Sequence, residues 1–270
     1  MASLKFITSN LIEGSATSLK NGTGAPAPAR DEVSPYVMEN AMKHARRVLW
    51  QNSGGANMDV DFDTGFDWGV RVGGIAGHRP IAGALTGITA FTIKSSTDAN
   101  GYPPITGNPW TNVPGAVSVS TASARDKGVI FDSDVTARYF RYSLVVGSVF
   151  TLGKFLLNWI THDLGILHSP GATVLNISSN VEERTIGQDP VVSYVGDNRE
   201  LRSLPYRNIL SAVAVKLDAL RKLRNSFFMF DKDNVMREYI VQRGEIPFTI
   251  EREQAADTIY SAQVELEQLG

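Results

Sequence analysis

The sequence predicts a mainly β protein in two parts: a β-sandwich or jelly roll, then an α+β unit carrying one helix. Three observations carry this reading. Apolar residues alternate with polar ones in many short runs, as in Asn57-Met58-Asp59-Val60-Asp61-Phe62-Asp63 and Ile88 to Lys94. Gly and Pro clusters separate those runs and supply the turns that a sandwich needs. Helical spacing is clearest after Ser211, where Val213, Leu217 and Leu220 share one face while Lys216, Asp218, Arg221 and Lys222 share the other.

The elements follow in order. Gly14 to Pro35 is rich in Gly, Ala, Ser, Thr and Pro and is expected to lack regular structure of its own, either as a mobile linker or as an extended arm draped over a neighbouring subunit. Met38 to Trp50 is an apolar and basic run. Gly73 to His78 ends a short apolar strand, and residues 100–116, with Pro103, Pro104, Pro109 and Pro114, read as a long surface loop. At the midpoint, Ala137 to Val146 alternates with Phe140, Tyr142, Leu144 and Val146 on one face. A turn at Gly147-Ser148 is expected to return the chain as a second strand over Phe150 to Leu157. Beyond a break near residues 161–171, Val191 to Val195 and Arg199 to Leu210 suggest a hairpin about Gly196-Asp197-Asn198. Ser211 is then the expected N-cap of the helix. Phe227 to Phe230 and Val235 to Val241 form a second hairpin, and the last strand places Tyr260, Ala262, Val264 and Leu266 on one face. These signals divide the chain into an N-terminal arm over 1–47, a sandwich over 48–160 and an α+β domain over 161–270.

Composition narrows the classes of function. The chain has 270 residues, 43% hydrophobic and 20% charged, with a formal net charge of -2, so nothing in its overall charge draws it to nucleic acid. It has no cysteine, which removes disulfides, thiolate metal sites and thiol nucleophiles together. The N-terminus lacks a signal-peptide pattern, and no window approaches the roughly 18 apolar residues of a membrane helix. Synthesis in the cytoplasm without membrane insertion is the expectation.

No motif assigns catalysis, a cofactor or a metal. Asp59, Asp61, Asp63 and Asp67 suggest a calcium loop, but Thr64 and Val70 occupy the positions where an EF-hand requires Gly and Glu. The simpler reading is a strand with Val60 and Phe62 inward and the aspartates solvated. His44, His78, His162 and His168 lack zinc spacing, and His162-Asp163 has no G-x-S-x-G partner. The glycine-rich stretches lack phosphate-loop spacing. Arg138 and Arg141, beside Tyr139 and Tyr142, are candidate ligand or interface residues, although strict alternation sends the two arginines to opposite faces. Tyr102 and Trp110, in the long loop, are the other two candidates. An enzyme using two distant carboxylates is the least favoured class, and the chain is expected to be non-enzymatic.

Several short motifs carry a family resemblance: Leu49 to Asn52, Val60 to Asp63, Gly74-Ile75-Ala76-Gly77-His78, Ala137 to Arg141, Phe150 to Lys154 and Phe227 to Asp233. Together they resemble minor virion proteins of tailed bacteriophages over residues 48–270. That resemblance implies a discoidin-like jelly roll followed by a tail-tube or distal-tail-like β-barrel or sandwich with one flanking helix. It further implies a structural component of a ring-shaped tail-tip, baseplate or connector assembly, located in the virion, with copies of itself and other tail proteins as partners. The alternative is a carbohydrate-binding or host-attachment module whose end loops take a host-surface glycan.

Overall fold

Two long antiparallel strands organise the first half of the chain. The computed structural model describes residues 3–13, 15–21, 41, 50–52, 56–80, 87–97, 110–121, 125–177, 180–183, 191–194, 199–223, 226–231, 234–241, 249–252 and 259–268. They fall into two compact units, one formed by Ser9–Thr161 with Asp233–Arg237, the other by Met1–Thr8, His162–Lys232 and Glu238–Gly270. The chain is mainly β, as its alternation predicts.

After β1 (Lys5–Ile7), the Ser9–Thr161 unit contains β2 (Ala16–Asn21), β3 (Trp50–Gln51), β4 (Met58–Ala76), β5 (Arg79–Pro80), β6 (Ile88–Ser96), β7 (Thr111–Asn112), β8 (Val119–Ser120), β9 (Lys127–Val146), β10 (Phe150–Leu152) and β11 (Lys154–Asn158). Its large sheet runs β11-β4-β9-β6-β7, with β2 beside the first part of β4 and β8 beside β6. A smaller sheet, β3-β10-β5, completes the sandwich. Between them lie Trp50, Phe62, Phe91, Tyr142, Phe150 and Phe155, all buried. Phe155 sits edge-on to both Phe62, at 5.3 Å, and Tyr142, at 5.0 Å. Each such side chain contributes about 1.5–3 kcal/mol on leaving water.

The midpoint segments differ from their expected pairing. β9 and the strand after Gly147-Ser148 do not form a hairpin. The return splits at Gly153: β10 joins the small sheet, and β11 crosses to pair with β4, Lys154 opposite Ala76 and Asn158 opposite Val72. Close backbone approach explains the split. Gly77 has φ +68°, and a side chain there would meet Gly153 at 3.2 Å. Tyr142 locks the crossing, since its hydroxyl donates to the Leu156 carbonyl and accepts from Gly74 N–H at 3.1 Å. Burial pushes this phenol well above its ordinary value, so it stays protonated. Asn52 and His78, from the motifs that carry the family resemblance, hold the backbone here: Asn52 accepts from Phe150 N–H at 2.7 Å, and His78 Nε2 accepts from Ile88 N–H at 2.9 Å.

The other unit adds β12 (His162–Asp163), β13 (Thr173–Ile177), β14 (Asn180–Glu183), β15 (Val191–Tyr194), β16 (Arg199–Leu210), α1 (Ser211–Arg221), β17 (Phe227–Phe230), β18 (Met236–Val241), β19 (Thr249–Arg252) and β20 (Ile259–Gln268). Its sheet runs β12-β1-β17-β18-β20-β16-β13, with β19 beside β20. Among the described residues this sheet is open, ending at β12 and β13, and not a closed barrel. Helix α1 buries Ala214, Leu217 and Leu220 in a cluster that includes Leu204, Tyr206, Phe227, Val264 and Leu266.

Four further expectations change. Residues 5–7, assigned to an arm, form β1 between β12 and β17, because Phe6 and Ile7 are fully buried apolar side chains. Ala16–Asn21, expected to lack regular structure, pairs with β4; residues 22–40 and 42–49, with His44, lie outside the described residues. β15 pairs with β14 and not with β16, which instead joins β13 and β20. Leu210, in extended backbone at ψ 156°, holds the N-cap position and Ser211 is the first helical residue. Replacing Tyr142 by Phe removes the buried hydroxyl that bonds both the Leu156 carbonyl and the Gly74 N–H, so we expect a loss of about 1–3 kcal/mol in urea denaturation at neutral pH.

Candidate functional site

The β4–β9 ladder is interrupted twice, and the interruptions frame an exposed aromatic surface. Asp63 pairs with Tyr139 and Trp68 with Ala137, so Thr64, Gly65, Phe66 and Asp67 stand opposite the single residue Arg138. Val70 pairs with Val135 but Val72 with Ile130, so Arg71 in turn faces an excess on β9. Bulges of this kind bend a strand and re-aim its side chains.

The first bulge is built from local chemistry. Gly65 takes φ +81°, a conformation that disfavours a side chain, and its N–H donates to Asp63 Oδ1 at 2.8 Å. Thr64 Oγ1 lies 2.9 Å from the Phe66 carbonyl and 2.8 Å from the Arg138 carbonyl. Arg138 closes the base with a two-point ion pair to Asp63, Nε to Oδ1 at 2.7 Å and Nη2 to Oδ2 at 2.8 Å.

The turn leaves Phe66 74% exposed and Trp68 36% exposed. Trp159, 37% exposed just past β11, stacks on Trp68 with ring centroids 5.7 Å apart and planes inclined by 25°. Three large aromatics partly open to water near one bulge make this the candidate binding face of the unit. Polar groups border them. The Asp67 carboxylate feels the charge of Arg138 but makes no hydrogen bond or ion pair among the described residues. Arg71 reaches Asp134 at 3.4 Å on the second bulge.

The candidates named from sequence are placed differently from one another. Tyr102 lies outside the described residues. Trp110 is half-buried, with the Arg141 guanidinium 4.4 Å from its ring centroid. Arg141 itself is buried and holds Asp61 at 2.6 and 2.8 Å and Asp59 at 3.2 Å. Arg138 is partly exposed and reaches Asp63, which shares a face of β4 with Asp61; the broken register defeats the expected separation of the two arginines. The aspartates expected to be solvated are therefore largely paired, and Asp61 is fully buried. Among the described residues, no group of three His, Asp or Glu is placed to hold a metal. Burial, then the charge of Lys216, holds His162 below its ordinary value, while Asp163 accepts from Ser3 at 2.6 Å and from Gly165 N–H at 2.9 Å. His168 Nδ1 lies 3.0 Å from the Ser169 carbonyl.

Phe66, Trp68 and Trp159 went unselected in the sequence. Their signal was present: Gly65-Phe66-Asp67-Trp68 places two large aromatics among Gly and Asp, outside any apolar run.

Comparison with protein-family models finds no match, and comparison with curated proteins finds none. Solved structures do overlay. Chitosan-binding module 1 of a chitosanase/glucanase from Paenibacillus sp. IK-5 gives a TM-score of 0.40 at 16% identity, covering 55% of this chain and 98% of that one. Module 2 of the same source, in complex with chitotriose, gives 0.42 at 17%, covering 55% and 99%. The lectin domain of lectinolysin complexed with Lewis B antigen gives 0.40 at 12%, covering 57% and 98%. At this identity and TM-score the likeness assigns no ligand to this chain.

Asp63 is held below its ordinary value of 3.8 by the Arg138 hydrogen bonds, with burial opposing and the Gly65 N–H assisting. A carboxylate lowered on folding contributes stability that is complete above its unfolded value and is lost as the pH falls through its folded value. The chain is therefore expected to lose stability as the pH drops below 3.8, and Arg138→Gln to show a smaller loss over that range when urea midpoints are measured against pH.

Proposed function

We propose that the chain is a non-enzymatic attachment protein whose Ser9–Thr161 unit recognises carbohydrate through Phe66, Trp68 and Trp159. The stacked and exposed Trp68–Trp159 pair carries this reading. A sugar ring offers an apolar face of C–H groups and an edge of hydroxyls. Flat indoles match the first, and the bordering Asp67, Arg71 and Asp134 match the second. Asp61 and Asp63 serve as anchors for the arginines, and their role in this reading is to hold the bulge in shape.

Titration calorimetry of the full chain against oligosaccharides tests the reading, with chitotriose and Lewis B antigen as first probes. Trp68→Ala and Trp159→Ala are each expected to weaken binding about tenfold or more, or ~1.4 kcal/mol, without lowering the thermal midpoint appreciably. Absence of binding across the panel overturns it.

A second reading, a structural subunit of a tailed-phage virion that assembles with its own copies and with other tail proteins, is favoured by a different observation. Edge strand β13 reads Thr-Val-Leu-Asn-Ile, without charge or proline, and its adjacent Val174 and Leu175 are 54% and 61% exposed. Neighbouring strand residues point to opposite faces, so among the described residues this strand presents an apolar side chain to water on each. Monomeric proteins ordinarily guard such edges. Closed rings in light scattering and negative stain, dispersed by Leu175→Lys, are the expected result; a concentration-independent monomer rejects this reading and leaves the carbohydrate reading standing.

A further inference from the structure

Helix α1 borders an open cavity of about 320 Å³, lined by Ser211, Ala214, Val215, Asp218, Arg221 and, from β20, Tyr260. The volume lies at the lower end of the roughly 300–1,000 Å³ range of ligand pockets. Its shape follows from the helix. Ser211 and Arg221 are ten residues apart at about 1.5 Å each, so the groove runs about 15 Å along α1. Four to five residues of extended chain, at about 3.3 Å each, cover that length.

The lining is graded in polarity. Ala214 and Val215 form a low apolar wall in which Val215 is 68% exposed, a large fraction for a β-branched residue inside a helix. The hydroxyls of Ser211 and Tyr260 have no protein partner among the described residues. At the far end, Asp218 is engaged by two cations: Arg221 Nη2 donates to Oδ1 at 2.6 Å, and Lys222 Nζ lies 2.5 Å from Oδ2. Among these three groups one carboxylate stands against two cations, and Arg221 keeps further N–H groups in the planar arrangement that suits a carboxylate.

We infer that this groove is a docking site for an extended acidic peptide segment of a partner protein. A Glu or Asp side chain meets Arg221, a small apolar side chain lies on Ala214 and Val215, and the Ser211 and Tyr260 hydroxyls bond the peptide backbone. Charge complementarity and groove length select this occupant; an elongated fatty acid would match the length and the cation but leave both hydroxyls facing methylene groups. The site is separate in sequence and residues from the aromatic surface and does not depend on the carbohydrate reading.

The test is amide chemical-shift titration of the isotopically labelled full chain. The probes are acetyl-Val-Ala-Ala-Glu-amide and the reversed acetyl-Glu-Ala-Ala-Val-amide, each beside its Gln counterpart, and octanoate. Saturable shifts confined to α1 and Tyr260 with at least one Glu peptide are expected, about tenfold weaker with its Gln counterpart and in Arg221→Gln. That substitution removes only an exposed ion pair and is expected to leave folding intact. Val215→Glu, which places negative charge on the apolar wall, is expected to abolish the response with Arg221 untouched. No response to either Glu peptide, equal response to the Gln forms, or response to octanoate alone overturns the inference.

Discussion

The antiparallel pairing of β4 with β9 is the constraint on which the sandwich and its exposed surface depend. Strands of 19 and 20 residues exceed what an ordinary sheet uses, and a ladder of that length accumulates twist. Two bulges bend it, and both fall around Trp68 to Val70. The core side of the same ladder supplies Phe62 and Tyr142, whose packing with Phe155 fixes where β11 crosses. The aromatic surface is thus a by-product of how the central ladder keeps its register.

Charge has a specific part in keeping this register. The Arg141–Asp61 and Arg138–Asp63 pairs tie β9 to β4 at successive steps of one face. A buried ion pair adds little net stability, since desolvation offsets attraction, but a slipped register leaves two buried charges unpaired. A one-residue slip would also turn Phe62 and Tyr142 out of the core. The ion pairs and the aromatic core therefore penalise the same errors. The Trp110 ring over Arg141 extends this arrangement to the residue that precedes β7.

The second unit is discontinuous in sequence. β1 pairs with β12 and β17, and Ser3 bonds Asp163 across 160 positions. Closing so long a loop costs entropy that grows only slowly with length. Burial of Phe6 and Ile7 and the tie from Ser3 to Asp163 offset it. Helix α1 covers the same sheet with Leu217 and Leu220 and turns Val215 and the charged residues outward. Its groove results from amphipathic spacing whose outer face is less polar than a solvated helix requires.

The sequence by itself determined the periods. Alternation placed Phe62, Tyr142, Leu144, Val264 and Leu266 in cores, and 3.6-residue spacing placed α1 over Leu217 and Leu220, because these patterns are local properties of backbone geometry. Tertiary structure alone decided pairings and exposure. The crossing of β11 to β4, the insertion of β1 beside β17 and the stacking of Trp159 on Trp68 join residues far apart in the chain, and no local period encodes which distant strand is the neighbour. The aspartates around Phe62 show the limit most plainly: alternation put them outward, but whether outward meant water or arginine depended on a strand 80 residues away.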